Sequence, residues 1–397
     1  MSTNQADLFP PPSSTLVKGL EGVAALLRQV LPLRPKHMAA LPGAIRALSG
    51  YLTDERDQLP PDYMNQPPLL SAYLHYFLPW NLYRQGRLLE GLDLRIRPGS
   101  LVVDQGAGPL TFLLALWLAR PAMRTQDLNY LGLDRSESVL KHGRQLFRLL
   151  DGASPWQVRT ERKAAGVGRT PRADVLVLAN FLNELDWAAE TTTRNQADDE
   201  APATPHDLLL ERWERQVAPE AAILLIEPGM RASGRNLVRL RETALARGWQ
   251  VAAPCPHAAR CPMPGQRNTA WCHFNFVPEG APQWLERLSQ KAKLPKDRAS
   301  LSFLLLTRGE NPPVKVAGPG AAGPDEQWVR VVSESFDLPE WQRGRYGCSG
   351  QGLVLLQDPK SGPAAAGPRP GDLLLAQWPE KPERDHKSGA WILARRG

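Results

Sequence analysis

Apolar residues near the N-terminus recur at three- and four-residue steps: Leu16, Leu20, Val23, Leu26 and Leu27, then Ala44, Ile45, Leu48 and Leu52. That period predicts helices over 14–53, broken by a Pro-rich step. A second helical pair is predicted over Leu69–Leu92, interrupted at Pro79, because a proline inside a helix removes a ladder hydrogen bond. From Ser100 the pattern changes to short apolar runs alternating with amphipathic segments, the mark of βαβ units around a parallel sheet. Strands are predicted at Leu101–Asp104, Tyr130–Asp134, Ala173–Asn180 and Ala221–Pro228, and helices at Leu110–Leu118, Glu137–Leu150, Leu208–Arg215 and Gly234–Arg247. Two insertions interrupt the series: a basic one, Arg159–Arg172, and a polar, acidic one, Glu190–Asp207, read as a disordered loop. Beyond Val277 the chain turns Pro- and Gly-rich, then shows β-like runs at Trp328–Val332, Leu353–Gln357, Leu373–Gln377 and Trp391–Ala394.

This pattern divides the 397 residues into a helical block (1–95), an α/β domain (96–308) with a cysteine-rich segment at 254–276, a linker (309–326) and a small β domain (327–397). Hydrophobic residues at 42% and charged ones at 22% sit close to globular averages, which excludes wholesale disorder. The net charge of +7 suits a nucleic-acid partner and serves solubility equally well. No apolar run approaches the roughly 18 residues of a membrane span, and the first residues lack the order of a secretory signal, so a cytoplasmic protein without a membrane partner is expected.

The first predicted strand ends in LVVDQGAGPLTF. Asp104 followed by Gly106 and Gly108 lets the backbone turn tightly and approach a ligand closely, and Asp134, ending the next strand, is placed to accept hydrogen bonds from ribose hydroxyls. This is the layout of an S-adenosylmethionine (SAM) pocket. The third glycine of a dinucleotide fingerprint is missing and Pro109 follows Gly108, which disfavours a pyrophosphate ligand. The plainer alternative is an ordinary strand–turn–helix with glycine in the turn. Asn180, Asn183, Glu184 and Asp186 fall at the carboxyl end of a later strand, where open sheets bind ligands. Glu184 reads equally as a general base or a capping acid; the Asn/Asp-Pro-Pro-Tyr arrangement that grips a base amine is absent, and no catalytic residue is assigned.

Four cysteines are too few for a disulfide scaffold, yet Cys255, Cys261 and Cys272 crowd together, with Cys348 far along the chain. Their spacing is wider than the knuckles of structural zinc sites, and two Cys-Pro steps suit an iron–sulfur loop. Spacing alone leaves iron, a zinc site sharing His257 or His273, and inert buried thiols all open.

At these residues the chain resembles the mitochondrial-type small-ribosomal-subunit assembly methyltransferase family, whose members also occur in bacteria and archaea. The resemblance rests on DQGAGP (Asp104–Pro109), IEPGMRASGRNLVRLRETAL (Ile226–Leu245) and CPH…CP…WCHF (Cys255–Phe274), with a looser echo in AYLHYFLPWNLY (Ala72–Tyr83) and RYGCSGQGLVLL at Arg345–Leu356. It implies an α/β fold with a Rossmann-like SAM-dependent methyltransferase core, an N-terminal helical block and a small C-terminal β domain. It further implies SAM held at Asp104, Gly106, Gly108 and Asp134, a [4Fe–4S] cluster rather than zinc on Cys255, Cys261, Cys272 and Cys348, and small-subunit rRNA as partner. The expected function is methyl transfer to rRNA during assembly, or binding of SAM and rRNA without transfer. A radical-SAM enzyme is disfavoured because its CxxxCxxC triplet is absent.

Overall fold

The computed structural model describes residues 7–53, 58–60, 62–164, 170–185, 203–316, 320–339, 342–359 and 367–394. Helix α1 (Ser14–Val30) starts where the Ser13 hydroxyl accepts the Leu16 N–H, and its apolar stripe Leu16, Leu20, Val23 and Leu27 is buried. Helices α2 (Pro35–Leu52) and α3 (Pro67–Ala72) follow, then a π turn over Tyr73–Phe77 that leads directly into α4 (Leu78–Gly91). Pro79 does not interrupt the chain as expected. It directly follows the π turn, inside a run whose backbone stays helical from α3 into α4, and the distortion accommodates its missing N–H.

The elements after α4 run β1 (Arg95–Ile96), β2 (Leu101–Gln105), α5 (Thr111–Ala119), β3 (Leu128–Asp134), α6 (Glu137–Asp151), β4 (Trp156–Arg162) and β5 (Ala173–Ala179). They continue with α7 (Pro205–Glu214), β6 (Val217–Pro228), α8 (Arg231–Ala246), β7 (Gln250–Ala253), β8 (Phe274–Phe276), α9 (Gln283–Lys291) and β9 (Ala299–Arg308). The main sheet has the order β4-β3-β2-β5-β6-β9-β7, with β8 also pairing β9. Strands β4, β3, β2, β5 and β6 are parallel, and β9 runs antiparallel to β6 and β7. The strand order reverses between β2 and β5, which opens a crevice at their carboxyl ends.

Alternation along the central strands feeds two cores. Val175 and Val177 of β5 pack with the N-terminal helices, α5 and α6, whereas Leu176 and Leu178 pack with α7 and α8 on the other face. Helix α5, TFLLALWLA, is buried on every side, so it reads as a continuous apolar run without a polar stripe.

The remaining elements are β10 (Val314–Lys315), β11 (Glu326–Val331), β12 (Phe336–Asp337), β13 (Gln342–Ser349), β14 (Gly352–Pro359), β15 (Leu373–Gln377) and β16 (Trp391–Ala394). A second sheet has the order β15-β11-β13-β14-β16, with β12 on β13, around Val329, Val331, Val354, Leu356 and Leu393. Arg345 and Asp358 form a buried ion pair within it. The segment expected as a linker contributes β10, which pairs with β1. Part of the expected basic insertion belongs to edge strand β4, where exposed Arg159 and Glu161 alternate with half-buried Val158 and Thr160. The acidic insertion lies outside the described residues through 202, and its end at Pro205 already opens α7.

Candidate active site and cysteine centre

The glycine turn after β2 has the geometry its sequence requires. Gly106 and Gly108 have φ of +73° and +53°, a region costly for residues with a Cβ. The Gly106 and Ala107 N–H groups donate to the Leu133 carbonyl, and the Gly108 N–H donates to the Asp134 carboxyl at 2.9 Å. The other Asp134 oxygen accepts from the Ser136 N–H at 2.8 Å, and Ser136 caps α6. Burial raises the Asp134 pKa while these N–H bonds pull it down. Asp104 is buried beneath the turn. One of its oxygens accepts from the Tyr130 hydroxyl; Oδ1 has no partner among the described residues, and burial pushes the carboxyl up to about 7.

These residues border a cavity of about 270 Å³ at the crevice between β2 and β5, lined by Gly106, Gly108, Asp134 and Asn180 among others. Asn180 adopts a left-handed φ of 57° and donates its N–H to the Ile226 carbonyl. The following turn is held from below: the Glu227 carboxyl accepts the Phe181 and Leu182 N–H groups at 2.8 and 2.7 Å. Glu227 is buried, its Oε2 has no partner among the described residues, and burial pushes it up to about 8. Glu184 lines the cavity; Asp186 lies outside the described residues.

Sequence reasoning missed the wall contributed by the N-terminal helices. Tyr63, Met64, Asn65 and Tyr73 all face the cavity, and the Ser136 hydroxyl donates to Asn65 Oδ1 at 3.2 Å. Tyr73 opens the π turn, a distortion that often marks functional sites, and burial raises its phenol pKa, with Glu184 and Asp134 adding to the rise. The only sequence signal was the AYLHYFLPWNLY stretch, which carried resemblance but no assigned role.

The four cysteines gather at a second place, between the loop joining β7 to β8 and strand β13. Cys261 and Cys348 are buried against Val238 and Met263, with Cys272 packed on the same cluster. Burial raises the Cys348 thiol pKa, and Cys255, Cys272 and Cys261 repel its thiolate further. Cys272 is raised by burial and by Cys255 and Cys261, and Cys261 is pushed up to about 11, chiefly by burial. The distant thiol therefore lies within electrostatic reach of the three that cluster in sequence. All four are free thiols. Among the described residues no group of three Cys, His, Asp or Glu side chains is arranged to hold a metal ion.

The histidines separate cleanly. His257 Nε2 lies 3.2 Å from the Cys348 sulfur, and burial with the nearby Arg241 pulls the ring down to about 4. His273 instead bonds the Trp271 carbonyl and Asn275, stacked on the Trp271 ring. Among the described residues no helix is long and apolar enough to cross a membrane.

Against known families, residues 93–336 match the family model described as mitochondrial small ribosomal subunit Rsm22. No curated protein matches the chain. Among solved structures, a Listeria monocytogenes protein assigned to the class I SAM-dependent methyltransferases is 12% identical, covering 75% of this chain and 87% of its own, at a TM-score of 0.33. A SAM-dependent methyltransferase from Geobacter sulfurreducens, solved with S-adenosyl-L-homocysteine, is 13% identical over 57% of this chain and 90% of its own, with a TM-score of 0.32. One from Thiobacillus denitrificans, also with S-adenosyl-L-homocysteine, is 13% identical over 58% and 92%, with a TM-score of 0.32. The fold class is the expected one: α/β, with a Rossmann-like core of parallel strands.

Proposed function

The chain belongs to the family of the mitochondrial small ribosomal subunit Rsm22, and on that premise we propose that it binds SAM in the β2/β5 crevice and acts on small-subunit rRNA during assembly. The observation that carries this reading is the bond from the Gly108 N–H to Asp134 at the mouth of the switch-point cavity. Bound there, SAM supplies a sulfonium methyl group. Gly106 and Gly108 give the backbone room to approach it and Asp134 accepts from the ribose hydroxyls, while Asp104, expected to touch SAM, lies beneath the turn and outside the cavity lining, where it supports the turn through Tyr130. Tyr73 and Phe181 wall the cavity and exclude water, and Glu184 is the candidate acceptor for the proton released by the RNA nucleophile. Alignment within the pocket provides most of the rate. A cytoplasmic location belongs to the same proposal.

The four cysteines are proposed to hold a [4Fe–4S] cluster, in which Cys255, Cys261 and Cys272 of one loop and Cys348 of β13 would join the two sheets. The donor chemistry suits it: Cys261, Cys272 and Cys348 share one cluster, half-buried Cys255 lies within electrostatic reach of them, and the neighbouring Arg241 guanidinium has buried N–H groups with no partner among the described residues. Zinc is the competing occupant.

A second reading, binding without transfer, is favoured by the turn after β5. It runs Asn180-Phe181-Leu182-Asn183 where an amine-methylating enzyme would carry two prolines and an aromatic. Radiolabelled SAM incubated with immature small-subunit particles separates the two. Label in the rRNA supports transfer; tight SAM binding without label supports the assembly factor; no SAM binding overturns both.

A further inference from the structure

Arg241 is a buried cation without an anion. It lies on α8, only 2% exposed, and its Nη2 donates to the carbonyls of His257 and Ala259 at 2.7 and 2.9 Å, within the loop between Cys255 and Cys261. Its Nε and Nη1 are buried and unpartnered among the described residues. A guanidinium removed from water without a compensating charge is strongly unfavourable, so such groups are retained where an anion completes them. The neighbours able to become anionic are the cysteines: Cys261 and Cys348 pack against Val238, one turn before Arg241 on α8.

Arg330 is a second buried cation near the cysteines. It stands across from Cys348 in the β11–β13 ladder and donates its Nε to the Pro254 carbonyl, beside Cys255, at 3.1 Å. Its nearby charges include Asp372 and Asp7 as well as Cys255 and Cys272, so part of its compensation comes from carboxylates. Arg241 has no comparable carboxylate partner among the described residues.

We propose that Arg241 is the counter-cation of the four-cysteine centre, its buried and unpartnered Nε and Nη1 groups left to balance the thiolate charge. The proposal rests on the reading of the four cysteines as cluster ligands. Arg241 is a positioning and charge-balancing residue. Its positive charge lowers the energy of the centre's more negative redox state and slows loss of the cluster.

The test uses the full-length protein purified anaerobically, with Arg241→Gln and Arg241→Lys beside the wild type. The readouts are the midpoint potential of the cluster, titrated with dithionite and followed by electron paramagnetic resonance, and the rate of iron loss to a chelator. Arg241→Gln is expected to shift the reduced-to-oxidised ratio at fixed potential at least tenfold toward oxidised, which for one electron is about 59 mV more negative. Iron loss is expected to quicken. Arg241→Lys keeps the charge while losing the two-carbonyl grip, so its potential should stay near that of the wild type. Equal potentials in all three proteins overturn the proposal, as does an equal shift in both variants, which would mean that Arg241 merely pins the loop. If iron and sulfide are absent from the wild type, the cluster reading fails instead. The charge argument is then tested on that metal-free chain, where Arg241→Gln should raise the melting temperature by removing an uncompensated charge. A fall there overturns it.

Discussion

Gly143→Ala sets two computable effects against each other at the SAM pocket. Gly143 lies in α6 where the helix crosses the glycine turn. A Cβ there would stand 2.5 Å from the Pro109 carbonyl carbon, 2.6 Å from its oxygen and 2.8 Å from Leu110 Cγ. The first two are backbone atoms that cannot rotate away, so helix and turn must separate by roughly 1 Å to reach ordinary carbon contact. Alanine in a helix interior gains about 1 kcal/mol over glycine, while overpacking of this kind costs about 1–3 kcal/mol. The net loss is up to about 2 kcal/mol, a fall of a few degrees in melting temperature. The displacement acts on the bond from Gly108 to Asp134 that shapes the pocket, so SAM affinity should fall about tenfold, equivalent to about 1.4 kcal/mol. Titration calorimetry with S-adenosylhomocysteine reads the affinity, and scanning fluorimetry the stability. Gly22→Ala is the control: it lies in α1 with nothing within 4 Å of the added Cβ, and should stabilise the chain without touching affinity. Unchanged affinity in Gly143→Ala, with a raised melting temperature, would refute the packing argument.

Glu227→Gln should flatten the pH dependence of stability. Its carboxyl, ordinarily near 4.5, is pushed up to about 8 when folded, so its contribution is complete below about pH 4.5 and is lost as the pH rises through about 8. Urea midpoints at pH 5.5 and 8.5 should therefore fall further in the wild type than in the variant; parallel curves would contradict this. Arg345→Met removes one half of a buried ion pair and should cost about 3–5 kcal/mol, read by denaturant titration, while SAM affinity stays within twofold. A small loss would mean that water reaches Asp358.

Local signals carried the parts of the fold that local physics determines. The stripe Leu16, Leu20, Val23 and Leu27 made α1 legible, and the glycine turn with Asp134 was readable because the turn needs positive φ within a few residues of a strand end. Strand β4 escaped because an edge strand alternates charge with burial and looks like a basic loop. Strand β9, which runs antiparallel inside a parallel sheet, escaped because its LSFLLL run follows a Pro-rich stretch and departs from the βαβ alternation. Pro79 misled because a helix can carry a proline through its interior where a π turn accommodates the missing N–H. The cavity wall from Tyr63 to Tyr73 and the grip of Glu227 on the turn after β5 depend on tertiary contact, which no periodicity announces. The gathering of Cys348 with the other three thiols is of the same kind; spacing left it open, and only resemblance pointed to it.

Iron, sulfide and zinc contents of the anaerobically purified protein, measured beside Cys348→Ser, test the central claim most directly. The account predicts a brown protein with about four irons and an equal amount of sulfide per chain, lost in the variant, as expected for one cluster on four thiolates. A colourless protein carrying stoichiometric zinc, or one whose iron is indifferent to Cys348, would contradict it.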